Sequence, residues 1–85
     1  MNENQLDSVL IGKVISKARR SKGASQEVLS GLADISRTHL SAIERGKRKP
    51  TLETFWRISV ALGIRPHDLL SQIEAETGGK DSASR

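Results

Sequence analysis

The chain has 85 residues, a net charge of +4 and no Cys, which makes one small domain of limited core and excludes a disulfide framework or a thiolate metal site. His39 and His67 without thiols are poor material for zinc, so no metal or other cofactor is expected. No apolar run is long enough to span a bilayer, and the amino end, with Glu3 and Asp7, lacks the basic start of a signal peptide, so a cytoplasmic protein with no membrane partner is expected.

Residues 1–7 are polar and expected to be flexible. A first helix is predicted over Ser8 to Lys22, with Leu10, Ile11, Val14, Ile15 and Ala18 at helical spacing and Gly23 as its stop. Ser25 suits the N-cap of a second helix, whose expected apolar side is Val28, Leu29, Leu32 and Ala33. Asp34-Ile35 makes a turn and Ser36 caps a third helix, about 36–45, with Leu40 and Ile43 inward and Gly46 ending it in the left-handed conformation.

The loop Gly46-Lys47-Arg48-Lys49-Pro50 follows, and Thr51 caps a fourth helix with Glu53 in its first turn. Leu52, Phe55, Ile58, Ser59 and Leu62 form its expected buried stripe, and Gly63 stops it. Pro66 opens a fifth helix with Leu69, Leu70 and Ile73 as apolar residues. The sequence therefore predicts an all-α domain of five helices over residues 8–76, followed by a disordered tail at 77–85.

Charge is unevenly spread. Residues 12–22 hold Lys13, Lys17, Arg19, Arg20 and Lys22 with no acid, and residues 37–49 hold Arg37, Arg45, Lys47, Arg48 and Lys49 against Glu44. Residues 51–76 are net acidic. One face for a polyanion and another for a different partner would produce this pattern, and so would an ordinary uneven solvated surface. The second and third helices decide between them. Two short helices joined by a tight turn, the second leading with Ser36-Arg37-Thr38-His39 and ending in a basic loop, read as a helix-turn-helix suited to phosphates and base edges.

The combination of Gln26, Ile43-Glu44-Arg45-Gly46, Pro50-Thr51-Leu52-Glu53 and Ala61-Leu62-Gly63 in register resembles the phage-repressor and Cro-like helix-turn-helix family, often called XRE. The resemblance runs from about Ile11 to Leu70 and implies a lambda-repressor-like DNA-binding domain with the motif formed by helices 2 and 3. Ser30 stands where the family has a small alanine and Asp34 where it has glycine, and Gly31 costs the second helix about 1 kcal/mol relative to Ala. In this geometry Arg37, Thr38, Ser41 and Ala42 face base edges, although Arg37 could instead be a phosphate clamp or a free surface charge. Ser36, His39, Arg45, Lys47, Arg48 and Lys49 are expected at phosphates, with Lys22 joining them and Lys13 a marginal member, although His39 could instead pack on the helix surface as a neutral ring. His67 is read as structural.

The resemblance further implies that Gln26 bonds a phosphate and braces the third helix, and that Arg19 and Glu44 form a structural ion pair. Trp56 and Val60, one position off the buried stripe, suggest with Leu70 and Ile73 a two-fold dimer interface; the rival reading has Trp56 covering the edge of the core. No nucleophile with a partner, phosphate loop or metal-ligand cluster points to an enzyme. The expectation is a homodimeric regulator on double-stranded DNA, of controller, phage-repressor or antitoxin type. A protein-interaction module with a protein partner is the alternative.

Overall fold

The computed structural model describes residues 5–77. Five helices follow in chain order: α1 (Ser8–Ser21), α2 (Gln26–Ala33), α3 (Arg37–Glu44), α4 (Leu52–Leu62) and α5 (Pro66–Glu76). Among the described residues there is no strand, as the sequence predicts. The expected loose termini fall mostly on residues 1–4 and 78–85, outside the described residues.

Side chains set where these helices begin. Ser25 Oγ accepts from the Val28 amide, Ser36 Oγ from His39 and Thr51 Oγ1 from Thr54, each satisfying a donor that the first turn leaves unpaired. Asp7, assigned to the flexible segment by the sequence, caps α1 by accepting from the Val9 amide at 2.9 Å. Pro66 opens α5, which has no side-chain cap bond. Between α2 and α3 the chain reverses at Asp34, the one non-glycine residue with positive φ (60°) among the described residues. The Ile35 amide there returns to the Ser30 carbonyl at 3.0 Å, closing α2 in a Schellman-type cap.

The core draws on every helix: Ile15 from α1, Leu29 from α2, Leu40 and Ile43 from α3, Ile58 from α4 and Leu69 from α5 are all buried. α1 packs on α3 and α5, and α2 packs on α3 and α4. Ser30 is buried as well, and its hydroxyl donates to the Glu27 carbonyl at 3.1 Å, so a serine fits where only a small residue can lie.

Three expected core residues face solvent instead, beside Leu70, which the sequence already places at an exposed interface. Val28 and Leu32 lie on the outer flank of α2, and Leu52 (81% exposed) and Leu70 lie on the outer flanks of α4 and α5. Each of these helices carries apolar residues over a wider arc than its neighbours cover, and the flank of the arc stays outside. Ile73, placed at a dimer interface by the sequence, is 1% exposed and belongs to the monomer core, because α5 turns it inward beside Leu69. His67 is exposed on the first turn of α5, 3.2 Å from Asp68, and plays no part in the core.

One contact was invisible in the residue pattern. A Cβ on Gly12, in the middle of α1, would lie 2.6 Å from the Glu44 carbonyl oxygen and closer still to that of Ile43. The α1 backbone therefore presses on the last turn of α3 at a place where no side chain fits. Gly31 has nothing within 4 Å of the same position. Urea unfolding should separate the two: Gly12→Ala loses about 2 kcal/mol or more through overpacking against rigid backbone, whereas Gly31→Ala gains up to about 1 kcal/mol from helix propensity.

Candidate nucleic-acid interface

The helix α3 is short, and its two buried residues, Leu40 and Ile43, anchor one side of it. Positions 37, 38, 41, 42 and 45 recur on the opposite face at helical spacing. Arg37, Thr38 and Arg45 are exposed there, while Ser41 and Ala42 are half-buried and line the floor between them. Ser36 spends its lone pair on the His39 amide at 2.9 Å, which leaves its hydroxyl hydrogen free to donate outward. His39 is half-buried.

Glu44 orients this face. Its side chain is only 4% exposed, and its Oε2 accepts from Arg19 Nε at 2.7 Å. Its Oε1 accepts from Arg19 Nη2 and from Gln26 Nε2, both at 3.0 Å. Arg19 Nη1 also donates to the Ala24 carbonyl at 2.9 Å, so one carboxylate ties together α1, the α1–α2 turn, the first turn of α2 and the end of α3. The ion pair implied by the family resemblance is thus present, and Gln26 joins it. The bracing role of Gln26 is a direct hydrogen bond, and its own carbonyl end and the first amides of α2 remain available. Hydrogen bonding to Glu44 holds the Arg19 guanidinium above its ordinary pKa in spite of burial, so the stability contributed by the charged arginine is present through neutral pH and is lost as pH rises through that raised value, in strongly alkaline solution.

The inward turn of Glu44 leaves the outer surface positive. Among the described residues none of Arg37, Arg45, Lys47, Arg48 and Lys49 is in an ion pair. The loop that carries most of them is set by Gly46, at φ 76°, whose Cβ position lies 2.9 Å from Val9 Cα. Only glycine lets the basic loop close against the first turn of α1. Lys22 lies apart from this loop. It is the C-cap of α1 and lines a groove beside α5 with Lys17, Gln72 and Glu76, about 20 Å along α1 from the turn that meets Gly46.

Sequence reasoning missed Val9, Gly12, the capping role of Asp7, and Glu44 as the partner through which Gln26 braces α3. A signal existed for Gly12: with the buried Ser16 it makes a pair of small residues four apart on a helix, a common mark of close backbone approach. No comparable signal marked Val9, which is exposed and lies where a Cβ on Gly46 would fall.

The helix-turn-helix family profile matches residues 15–69, most of the chain and all of α2, α3 and α4. The chain belongs to the helix-turn-helix family. It is 44% identical over 63 residues to the control protein C.BamHI of Bacillus amyloliquefaciens, covering 73% of this chain and 78% of that one. The restriction-modification controller protein C.AhdI from Aeromonas hydrophila superposes with a TM-score of 0.72 at 34% identity, over 76% of this chain and 98% of that one. The controller protein C.Esp1396I, solved as a tetramer on its natural 35 base-pair operator, superposes with a TM-score of 0.77 at 28% identity, over 85% and 95% of the two chains. The phage-repressor and Cro-like type and the five-helix fold expected from the sequence are those of this helix-turn-helix protein. No helix among the described residues is long and apolar enough to cross a membrane.

The buried pair is open to a direct check by urea unfolding. Arg19→Leu strands the Glu44 carboxylate and should cost about 3–5 kcal/mol. Adding Glu44→Leu in the same chain removes the stranded charge and should recover part of that loss; an undiminished loss in the double variant would contradict the assignment.

Proposed function

We propose that this helix-turn-helix protein is a transcriptional regulator that binds double-stranded DNA sequence-specifically as a homodimer, with α3 in the major groove of a near-palindromic operator. The observation that carries the reading is an α3 whose outward face is polar and cationic while its one carboxylate is locked inward by Arg19 and Gln26. Such a helix reaches a duplex already oriented and without an acid facing the phosphates. Arg37 suits a bidentate contact to a guanine edge, Thr38 and Ser41 short hydrogen bonds, and Ala42 a methyl contact with thymine. Gln26, Ser36, His39, Arg45, Lys47, Arg48 and Lys49 are assigned to the flanking phosphates. Lys22 is left to a peripheral phosphate at most, given its place beside α5.

The relatives support a narrower reading. C.BamHI is named a control protein, and C.AhdI and C.Esp1396I restriction-modification controllers. Control of a restriction-modification system from the cytoplasm is accordingly the role we assign. The homodimer is supported by exposed apolar residues on the side of α4 and α5, namely Trp56, Val60 and Leu70. Two copies on half-sites about one helical turn apart multiply the few bases that one short helix reads. A protein-interaction module on the same fold needs neither the free cations nor the oriented α3, and no observation favours it.

Selection from a random duplex pool tests the reading. Wild type should enrich a palindromic motif, and Arg37→Ala should relax its guanine preference by about 1–3 kcal/mol at one position per half-site. Lys47→Ala should instead weaken all sequences alike and lower the slope of log K against log salt by about 0.9 per lost phosphate contact. Salt-sensitive binding without any enriched motif would overturn sequence-specific readout.

A further inference from the structure

The exposed apolar side of this domain contains both a projection and a recess. Trp56, the chain's single Trp, stands 58% exposed on α4. One turn away is a groove of about 270 Å³ floored by Phe55 and Ile73, rimmed by Leu6, Leu52 and Leu70, and closed on one edge by Lys49 of the basic loop. An apolar cavity of about 150 Å³ already admits a benzene-sized ring, so this groove has room for an indole. Leu6, Leu52, Trp56, Val60 and Leu70 together leave on the order of 500 Å² of surface exposed, the size of the largest and often functional apolar patch of a small protein and a substantial part of the roughly 800 Å² that each partner contributes to a standard interface.

We infer that the occupant of this groove is the Trp56 side chain of a second copy of this chain, inserted reciprocally across a two-fold axis. The inference rests on the homodimer reading above and specifies its geometry. A two-fold interface must be self-complementary. Here the projection and the recess are neighbours on one helix, about 6 Å apart at positions 52 and 56, so an axis passing between them seats both indoles at once. The two rings bury a large apolar area with few side-chain torsions to freeze, as interface anchors do. The seated ring also packs against the edge formed by Lys49, so that pairing holds the phosphate-facing loop in place.

Complementation tests the geometry by sedimentation equilibrium. Trp56→Ala removes the projection, and Leu70→Trp, at an exposed rim position, fills the recess. Each variant alone should dimerise at least about 100-fold more weakly than wild type. An equimolar mixture keeps one intact Trp56 and one open groove, and should form a heterodimer about 10-fold or more tighter than either variant forms with itself. Circular dichroism and binding to a half-site duplex show that both variants fold and present α3. A dimeric wild type whose Leu70→Trp variant dimerises normally, or whose variants fail to complement, overturns the reciprocal seating while leaving a dimer on another geometry. A wild type that stays monomeric at 50 times the concentration used for DNA binding overturns the homodimer itself.

Discussion

The Glu44 carboxylate is the point on which this domain turns. An ionised group 4% exposed is costly unless it is paired and fully hydrogen-bonded. Its requirements are met by the guanidinium of Arg19 and the amide of Gln26, which arrive from two other helices. Because both oxygens are used, the carboxylate fixes direction as well as distance, and the end of α3 has one orientation relative to α1 and α2. The backbone contact at Gly12 acts on the same turn, bringing α1 against the carbonyls of Ile43 and Glu44. Specific polar geometry and close steric fit meet at one end of the recognition helix.

An eight-residue helix such as α3 has little stability of its own in water. Its order is tertiary, supplied by Leu40 and Ile43 in the core and by Glu44 at its end. That division leaves the rest of its surface free of structural duty, so Arg37, Thr38, Ser41 and Ala42 are placed without being consumed. The neighbouring loop follows the same logic: Gly46 and Val9 position its backbone, and among the described residues its Lys and Arg side chains enter no ion pair. Rigid support beneath and free chemistry above is what contact with a polyanion requires.

The far side is arranged differently. Small domains cannot bury all of their apolar side chains, and here the surplus is gathered on the flanks of α4 and α5 rather than scattered, with a smaller pair at Val28 and Leu32 on α2. The groove beside Trp56 shares Lys49 with the basic loop, so the apolar side and the cationic side meet at the α3–α4 connection. Assembly and DNA contact would then bear on the same few residues.

The sequence by itself determined the elements and their limits. Ser25, Ser36 and Thr51 announce helix starts, Asp34 and Gly46 announce reversals, and the period of Leu40 and Ile43 assigns the two faces of α3, because caps, left-handed turns and helical spacing are local properties. Family register added the Arg19–Glu44 pair. Only the tertiary structure decided which apolar residues are buried. Helical spacing groups Val28 with Leu29 and Leu70 with Ile73, yet a neighbouring helix covers only part of each arc, and its approach is set by residues distant in the chain. The same holds for Gly12 against α3, for Gln26 against Glu44, and for Lys22 apart from the loop: each depends on where another helix lies, which no local pattern encodes.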